Sequence, residues 1–176
     1  MNYRLYFGLP FYFLSYYLPS PYLPIIGKFC SRIRSTILHF INPHISQKST
    51  IGKRCYFGNP QNLHIVSGSS IGNDFKMHNS FVIIDKNVMI ASDVNIWGGG
   101  HYTSDTSLPM ISQGDIGKTS LIIEEDVWIG ARTTILAKGQ IIGKGSVIGA
   151  GSVITKEVPP YSILAGNPAK IIRKRK

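Results

Sequence analysis

Residues 123–154 read IEEDVWIGARTTILAKGQIIGKGSVIGAGSVI, and this stretch decides the fold. Isoleucines recur in it at steps of six, first at 123, 129 and 135 and then, after a slip of one residue, at 142, 148 and 154. Glycine follows the isoleucine at 130, 143 and 149. A helix repeats every 3.6 residues and an alternating strand every two, so neither produces this spacing. The spacing is typical of one short strand and one turn per repeat.

The same step of six extends back along the chain to Ile51. It links three earlier runs, namely Ile51, Phe57 and Leu63, then Ile65, Ile71, Met77 and Ile83, and finally Ile84, Ile90 and Ile96. Three such repeats close one triangular coil, and successive coils stack at about 4.8 Å with the aliphatic column inside. The repeats have room for about five coils of about 18 residues. We therefore predict an all-β protein, a parallel β-helix.

The composition suits one domain of this kind. Of 176 residues, 43% are hydrophobic and 16% are charged, which excludes a disordered chain. Lys and Arg number 19 against 9 Asp and Glu, and the net charge of +10 favours an anionic partner without choosing among nucleic acid, a phosphorylated cofactor and lipid. The two cysteines stand far apart and form no CxxC pair, which favours a cytoplasmic protein without disulfides or structural zinc.

The pattern divides the chain into four segments. Residues 1–24 are rich in aromatic side chains, and their apolar run is too short to span a bilayer. Residues 25–42 are predicted to form an amphipathic helix, because apolar residues recur there at helical spacing. Those apolar positions are Ile26, Cys30, Ile33, Ile37 and Ile41. Residues 43–158 hold the β-helix with a protruding loop at 97–120, and residues 159–176 form a basic extension.

The aromatic residues of segment 1–24 suit two uses that the composition does not separate. Aromatic side chains favour buried and interface positions, so the segment suits packing against the base of the protein's own oligomer. Tyrosine is also common at the headgroup level of membranes, so the segment equally suits peripheral contact with an anionic membrane. We favour the packing interpretation and keep the membrane as its alternative.

The loop at 97–120 is the one interruption of the repeat. Three consecutive glycines precede His101 there and leave its imidazole uncrowded. A long loop without periodicity is commonly functional, and imidazole titrates close to neutral pH, as a general base requires. His101 is therefore the candidate base, with an ordinary loop histidine as the alternative. Its second ring nitrogen has Asp93, Asp105 or a backbone carbonyl as the expected partner.

Three motifs carry a resemblance to a known family: VWIGA at 127–131, IGAGSVITK at 148–156 and AGNPAK at 165–170. In these the chain resembles the hexapeptide-repeat acyltransferases, in the sugar and polysaccharide O-acetyltransferase branch related to the maltose, galactoside and xenobiotic acetyltransferases. The close match covers residues 124–172, and a looser match begins at Ile51. The resemblance implies a left-handed β-helix, a homotrimer, acetyl-CoA as acyl donor, no metal and no nucleic-acid partner.

The resemblance also implies roles for single residues. His101 matches the base that removes the acceptor's proton, while Ala131 and Ala150 match backbone contacts to the pantetheine arm of CoA. Positions around the far end of CoA match Thr155, Lys156, Lys170 and Arg173. His78 and Asn79 fall near positions that line the acceptor site in relatives, although short polar residues are also common at corners. Trp128 suits either a wall of the active site or packing at a corner. CoA is implied to lie in a groove between neighbouring subunits.

These matches imply acetyl transfer to a sugar hydroxyl. The aromatic start and the basic ends favour a capsular, O-antigen or exopolysaccharide precursor met at the inner membrane face, with a small-molecule or xenobiotic acceptor as the alternative. A γ-type carbonic anhydrase needs three imidazoles that converge on one metal, and the histidines here lack that family's paired spacing. They are His39, His44, His64, His78 and His101. A non-enzymatic trimeric scaffold, the other rival, has no need of a histidine after a glycine run.

Overall fold

The computed structural model describes residues 3–176. Two helices, α1 (Tyr3–Tyr16) and α2 (Ile26–Ile41), open the chain. The strands are β1 (Thr50–Ile51), β2 (Leu63–Ile65), β3 (Ser70–Ile71), β4 (Lys76–His78), β5 (Ser80–Ile84), β6 (Met89–Ile90), β7 (Asn95–Trp97), β8 (Gly100–His101), β9 (Asp115–Ile116), β10 (Thr119–Ile123), β11 (Trp128–Ile129), β12 (Thr134–Leu136), β13 (Ile141–Ile142), β14 (Val147–Ile148), β15 (Val153–Ile154), β16 (Ser162–Gly166) and β17 (Ala169–Lys174). Short 3-10 turns lie at Pro60–Asn62 and Met110–Ser112.

Three sheets of parallel strands build the body of the protein. The first sheet has the order β1-β3-β6-β11-β14-β16, the second β2-β5-β10-β13 and the third β4-β7-β12-β15. The chain visits the three sheets in turn, so that β5, β6 and β7 make one coil and β10, β11 and β12 make the next. Each coil pairs in parallel with its neighbours, as where Ile90 lies opposite Ile129 and Ile129 opposite Ile148. This cyclic order is that of a triangular parallel β-helix.

Aliphatic side chains from the coil strands fill the interior. Most of the residues that recur at the step of six are buried there. They include Ile51, Ile71, Ile90, Ile129, Ile148, Ile65, Ile84, Ile123, Ile142, Met77, Ile96, Ile135 and Ile154. Ile83 differs, because it is only partly buried while Val82 and Ile84 fill the core. Alternate residues of a strand face opposite sides, so only one of the adjacent isoleucines on the five-residue β5 can point inward.

Helix α2 covers the open end of the first coil through polar side chains. The Ile51 amide donates to Ser31 Oγ at 2.9 Å, and the Ser35 hydroxyl donates to the Gln47 carbonyl at 3.2 Å. An uncovered coil edge would leave backbone groups without partners, so the covering face has to supply hydrogen bonds.

The predicted inner face of this helix is therefore partly wrong. Ile26 is exposed and Ile33 and Ile37 are only partly buried, whereas Ser31 and Ser35 are buried. The segment is helical, but the face that meets the coil combines the buried apolar residues Leu38 and Ile41 with serines that hydrogen-bond the coil backbone.

The segment 1–24, for which the sequence analysis predicted no helix, contains α1. Helix α1 packs on α2, where Gly8 lies against Ile41 so closely that a Cβ atom would come within 2.3 Å of the Ile41 side chain. The Tyr12 hydroxyl donates to the Cys55 carbonyl at 2.8 Å and so ties α1 to the first coil.

Arg34 of α2 holds this arrangement together from inside. Its guanidinium is fully buried and donates to four carbonyl oxygens. These belong to Ile51 at 2.9 Å, Pro19 at 3.1 Å, Leu18 at 3.3 Å and Ser15 at 3.4 Å. Burial lowers the pKa of Arg34 below its ordinary value. Because the carbonyls come from the end of α1, the following link and the first coil, Arg34 joins all three.

At the other end of the protein, parallel pairing continues past residue 158, since Ile148 lies opposite Leu164 of β16. The extension predicted at 159–176 thus contains a coil strand, and β17 then folds back antiparallel on β16. Within residues 3–176, neither helix combines the length and the apolar character needed to cross a membrane.

Candidate functional site

The loop at 97–120 leaves the coil at the corner between the third sheet and the second sheet. Its two limbs pair as a short antiparallel ribbon, in which His101 of β8 lies directly opposite Asp115 of β9. The Tyr102 amide donates to the Gly114 carbonyl at 3.1 Å and extends the ribbon by one bond. His101 therefore stands on a paired strand rather than on a free loop.

The glycine run before His101 is required by the way the chain leaves the coil. A Cβ atom on Gly98 would come within 2.3 Å of the Asn79 carbonyl oxygen. Gly99 and Gly100 have φ values of 73° and 146°, which side-chain-bearing residues rarely adopt. Thr119 closes the exit, because its hydroxyl accepts from the Gly99 amide at 3.2 Å and donates to a carbonyl of the next coil at 2.6 Å.

The imidazole of His101 is oriented by a carboxylate. Nδ1 of His101 lies 2.6 Å from Oδ1 of Asp115, with the two side chains 65% and 76% exposed. A carboxylate can only accept, so Nδ1 carries the proton and Nε2 carries the free lone pair. The arrangement can receive a proton at Nε2 and stabilise the resulting imidazolium.

The prediction that Asp93, Asp105 or a backbone carbonyl would bind the second ring nitrogen was wrong, because Asp115 binds it. Asp105 accepts instead from the amide and the hydroxyl of Ser107, at 2.8 Å and 2.6 Å, and these bonds lower the pKa of Asp105. Asp93 lies at another corner of the coil. Sequence proximity favoured these residues, whereas the ribbon brings the more distant Asp115 opposite His101.

A cavity of about 470 Å³, the His101 cavity, opens beside this pair. It is lined by Asn79, Gly98, Gly100, His101, Asp115, Ile116, Gly117 and Lys118. A second cavity of about 160 Å³ shares Asn79 and Lys118 with it and is also lined by His78. The structure thus brings the predicted residue Asn79 into the His101 cavity and His78 into the adjoining one. It also adds the cation Lys118, which the sequence reasoning missed.

His78 belongs to an outward-facing stack on the third sheet. Its ring is nearly parallel to that of Trp97, with the centroids 4.3 Å apart and an angle of 5°. The Tyr56 ring lies on its other side, with the centroids 4.9 Å apart. The parallel register sets this stack, because it places residues of successive coils above one another.

The other corner of the third sheet holds a larger cavity of about 800 Å³, the corner cavity. It is lined by Asp74, Lys76, Ser92, Asp93, Ala131, Arg132, Ala150 and Gly151. The coils are close here, since a Cβ atom on Gly130 would come within 2.6 Å of the Ala150 amide nitrogen. The predicted residues Ala131 and Ala150 therefore meet in one cavity. Lys76 and Arg132, both missed by the sequence reasoning, are its cations.

The remaining predicted residues lie elsewhere. In the described part of the chain, Thr155, Lys156, Lys170 and Arg173 line neither the His101 cavity nor the corner cavity. Thr155 and Lys156 follow β15 of the third sheet, and Lys170 and Arg173 stand on β17. Trp128 is half exposed on the outward face of the first sheet, opposite Met89 and Val147, and also lines neither cavity.

The two cavities stand at different corners of the third sheet and have no lining residue in common. One chain therefore keeps His101 and the pair Ala131 and Ala150 apart. A site that uses all three residues together needs a second copy of the chain, as the resemblance implies.

The histidines are spread over several environments. His44 stacks on His64 with the centroids 4.3 Å apart, His78 stacks on Trp97, and His39 Nδ1 bonds the Ile45 carbonyl at 2.8 Å. Within residues 3–176, no three His, Cys, Asp or Glu side chains are grouped so that they could hold a metal ion.

Residues 120–156 match the family described as hexapeptide repeat of succinyl-transferase. A probable acetyltransferase of Mycobacterium tuberculosis is 33% identical over 134 residues, which are 75% of this chain and 42% of that protein. The matches to curated relatives span only 25% to 42% of the relatives' length.

Two solved structures extend the likeness to nearly the whole chain. A maltose O-acetyltransferase from Clostridium difficile superposes with a TM-score of 0.79 at 26% identity, covering 98% of this chain and 87% of that one. A galactoside acetyltransferase in complex with coenzyme A superposes with a TM-score of 0.73 at 25% identity, covering 98% of this chain and 81% of that one.

Proposed function

Because the chain belongs to the hexapeptide-repeat acetyltransferase family, we propose that it transfers an acetyl group from acetyl-CoA to a hydroxyl of a sugar. The observation that carries the proposal is the contact of 2.6 Å between His101 Nδ1 and Asp115, beside a cavity of about 470 Å³. The left-handed winding that the family implies is part of the proposal.

The residues of the His101 cavity divide the chemistry among them. Acetyl-CoA supplies the acetyl group as a thioester. His101 Nε2 takes the proton of the acceptor hydroxyl as its oxygen attacks, and the imidazolium returns that proton to the departing thiolate. Asp115 holds the ring and stabilises its charged form, while Asn79 and Lys118 stand where they can hydrogen-bond the acceptor.

The corner cavity fits the cofactor's chemistry. Coil backbone at Ala131 and Ala150 lines a space of about 800 Å³ that an extended pantetheine arm can follow. Lys76 and Arg132 offer cations to phosphate groups, for which charge-assisted contacts are the stronger ones. Thr155, Lys156, Lys170 and Arg173 remain predicted contacts for the far end of the cofactor.

The proposal includes a homotrimer, in which the corner cavity of one subunit faces the His101 cavity of the next. The separation of the two cavities within one chain supports this. Trp128, exposed on the first sheet, is then proposed to wall the acceptor site of a neighbouring subunit.

Subunit complementation tests the shared site. His101→Ala and Arg132→Glu subunits are co-expressed with different tags, the mixed trimers are purified, and thiol release is measured at acetyl-CoA concentrations well below the wild-type KM, where each variant alone should have little activity. A mixed trimer contains one interface with both residues intact, so we expect about a third of wild-type activity. Mixed trimers of proven composition without activity would contradict a site shared between subunits.

The proposed acceptor is a sugar of a capsular, O-antigen or exopolysaccharide precursor, and the proposed compartment is the cytoplasm, where free thiols such as Cys30 and Cys55 persist. A xenobiotic hydroxyl is the alternative acceptor. Thiol release from acetyl-CoA, measured with sugars, nucleotide sugars and hydroxylated drugs, separates these. We expect release that depends on a sugar and disappears in His101→Ala. Release with the drugs alone contradicts the sugar acceptor, and no release with any acceptor contradicts the activity.

A further inference from the structure

The outer face of α1 is exposed to solvent in the described chain. Six of its aromatic and aliphatic side chains, and Tyr17 directly after it, are each at least 53% exposed. The six are Tyr3, Tyr6, Phe7, Phe11, Phe13 and Leu14. At 3.6 residues per turn they fall within an arc of about 160° on one side of the helix. A contiguous apolar surface of this kind marks an interaction site, whereas scattered apolar residues do not.

This face is held outward by the packing of the other side of the helix. Gly8, Tyr12 and Ser15 are buried on that side, where Tyr12 bonds the first coil. Arg34 binds the carbonyl of Ser15 at the end of α1. The helix cannot turn its aromatic face inward without breaking these contacts, so the face needs a partner outside the chain.

The part of the chain that contains this face is strongly cationic. The first acidic residue of the chain is Asp74, so residues 1–73 carry seven Lys and Arg and no Asp or Glu. Of these cations, Arg54 is paired with Asp74 and Arg34 is buried. The others are Arg4, Lys28, Arg32, Lys48 and Lys53.

Three of these cations line a basic groove beside the link between α1 and α2. Lys28, Arg32 and Lys48 line a cavity of about 320 Å³ together with Tyr22, and a cavity of about 580 Å³ continues it past Arg32 and Lys48. Among the described residues no carboxylate lines either cavity, and none of the three cations forms an ion pair. The groove suits the phosphate of a lipid headgroup.

We infer that the outer face of α1 and the basic groove together bind the surface of an anionic membrane. A second copy of the chain would bring the same positive charges against this end and be repelled, whereas an anionic bilayer complements them. Tyrosine and phenylalanine in combination suit the headgroup level. Helix α1, at about 21 Å, is shorter than a hydrocarbon core of about 30 Å, so it lies in the plane of the interface.

Flotation of the full chain with vesicles tests this inference without measuring acetyl transfer, so its outcome is independent of the proposed function. The vesicles are phosphatidylcholine alone and an equimolar mixture of phosphatidylcholine and phosphatidylglycerol, at low and high salt. We expect wild type to float with the mixture, to float poorly with phosphatidylcholine, and to bind less as salt rises.

Two variants and a control separate the contributions. Lys28→Ala with Arg32→Ala and Lys48→Ala should weaken binding on the order of a hundred-fold, and Phe7→Ser with Phe11→Ser by at least about ten-fold. The control Lys138→Ala replaces an exposed lysine in the turn after β12 and should bind the vesicles as wild type does. The triple variant of Lys28, Arg32 and Lys48, called the basic-groove variant, leaves α1 unchanged. It therefore still tests the inference if the phenylalanine variant fails to fold.

Failure of wild type to float with the anionic vesicles at low salt would overturn the inference. So would equal binding by the basic-groove variant and Lys138→Ala. A third result would also contradict it: wild type does not bind the vesicles, and Phe7→Ser with Phe11→Ser dissociates the oligomer in sedimentation. A second copy of the chain would then cover the outer face of α1, and the membrane assignment would be wrong.

Discussion

Asp115→Asn tests the hydrogen bond that orients the base. The substitution keeps the size of the side chain but removes the charge that His101 Nδ1 meets at 2.6 Å. A hydrogen bond to a charged group contributes about 1.5 to 3 kcal/mol. Since the two side chains are 65% and 76% exposed, we discount this to about 1 to 2 kcal/mol for solvent screening. The expected loss in kcat is therefore roughly 5- to 30-fold.

The assay is steady-state thiol release, with the KM for acetyl-CoA measured alongside kcat. The KM should stay near its wild-type value, because Asp115 does not line the corner cavity. Asp105→Asn is the matched control in the same loop and should leave both constants unchanged. In a His101→Ala background Asp115→Asn should add no further loss, since a positioning residue acts only through the base. Equal kcat values for Asp115→Asn and Asp105→Asn, or a full additional loss in the His101→Ala background, would refute this reasoning.

Three further outcomes are expected. Arg132→Ala should raise the acetyl-CoA KM about 5- to 30-fold at nearly constant kcat, with Lys138→Ala as the unaffected control in the same kinetic assay. Arg34→Met removes the buried donor that four carbonyls share and should lower the free energy of unfolding by about 3 kcal/mol in urea, whereas exposed Arg32→Met should change it by less than about 0.5 kcal/mol. Hydrogen bonds from two lysines hold the pKa of Glu125 at about 2. The ionised Glu125 therefore stabilises the folded state fully above the ordinary pKa of 4.5, and this stabilisation is lost as the pH falls toward 2. Calorimetry over that range should show a smaller fall in Tm for Glu125→Gln than for wild type, and equal falls would contradict it.

The coil could be predicted because its signal is local and repeated. The buried isoleucines from Ile123 to Ile154 recur at steps of six with a single slip, and each stands on a short strand paired with a neighbouring coil. Helix α1 could not be predicted in this way. Its sequence contains Pro10 and exposes most of its apolar residues, so its periodicity does not identify a buried face. It is held by Gly8, Tyr12 and the distant Arg34, which a local pattern does not reveal.

The candidate site divides in the same manner. His101, Ala131 and Ala150 stand in recognisable motifs, and the structure places each of them in a cavity. Asp115 lies in the loop without any motif, and only the antiparallel ribbon brings it to His101. A search for strand pairing across the glycine-flanked loop would have found it. Lys76 and Arg132 come from different coils, so their proximity depends on how the coils stack.

The central claim is that His101 is the general base, and His101→Ala tests it most directly. General-base catalysis typically supplies about 10²- to 10⁴-fold in rate. With the acceptor identified by thiol release, we expect kcat to fall by that factor, while the acetyl-CoA KM, the Tm and the oligomeric mass stay near their wild-type values. A His101→Ala enzyme that folds and assembles normally and keeps more than about a tenth of wild-type kcat would contradict the account.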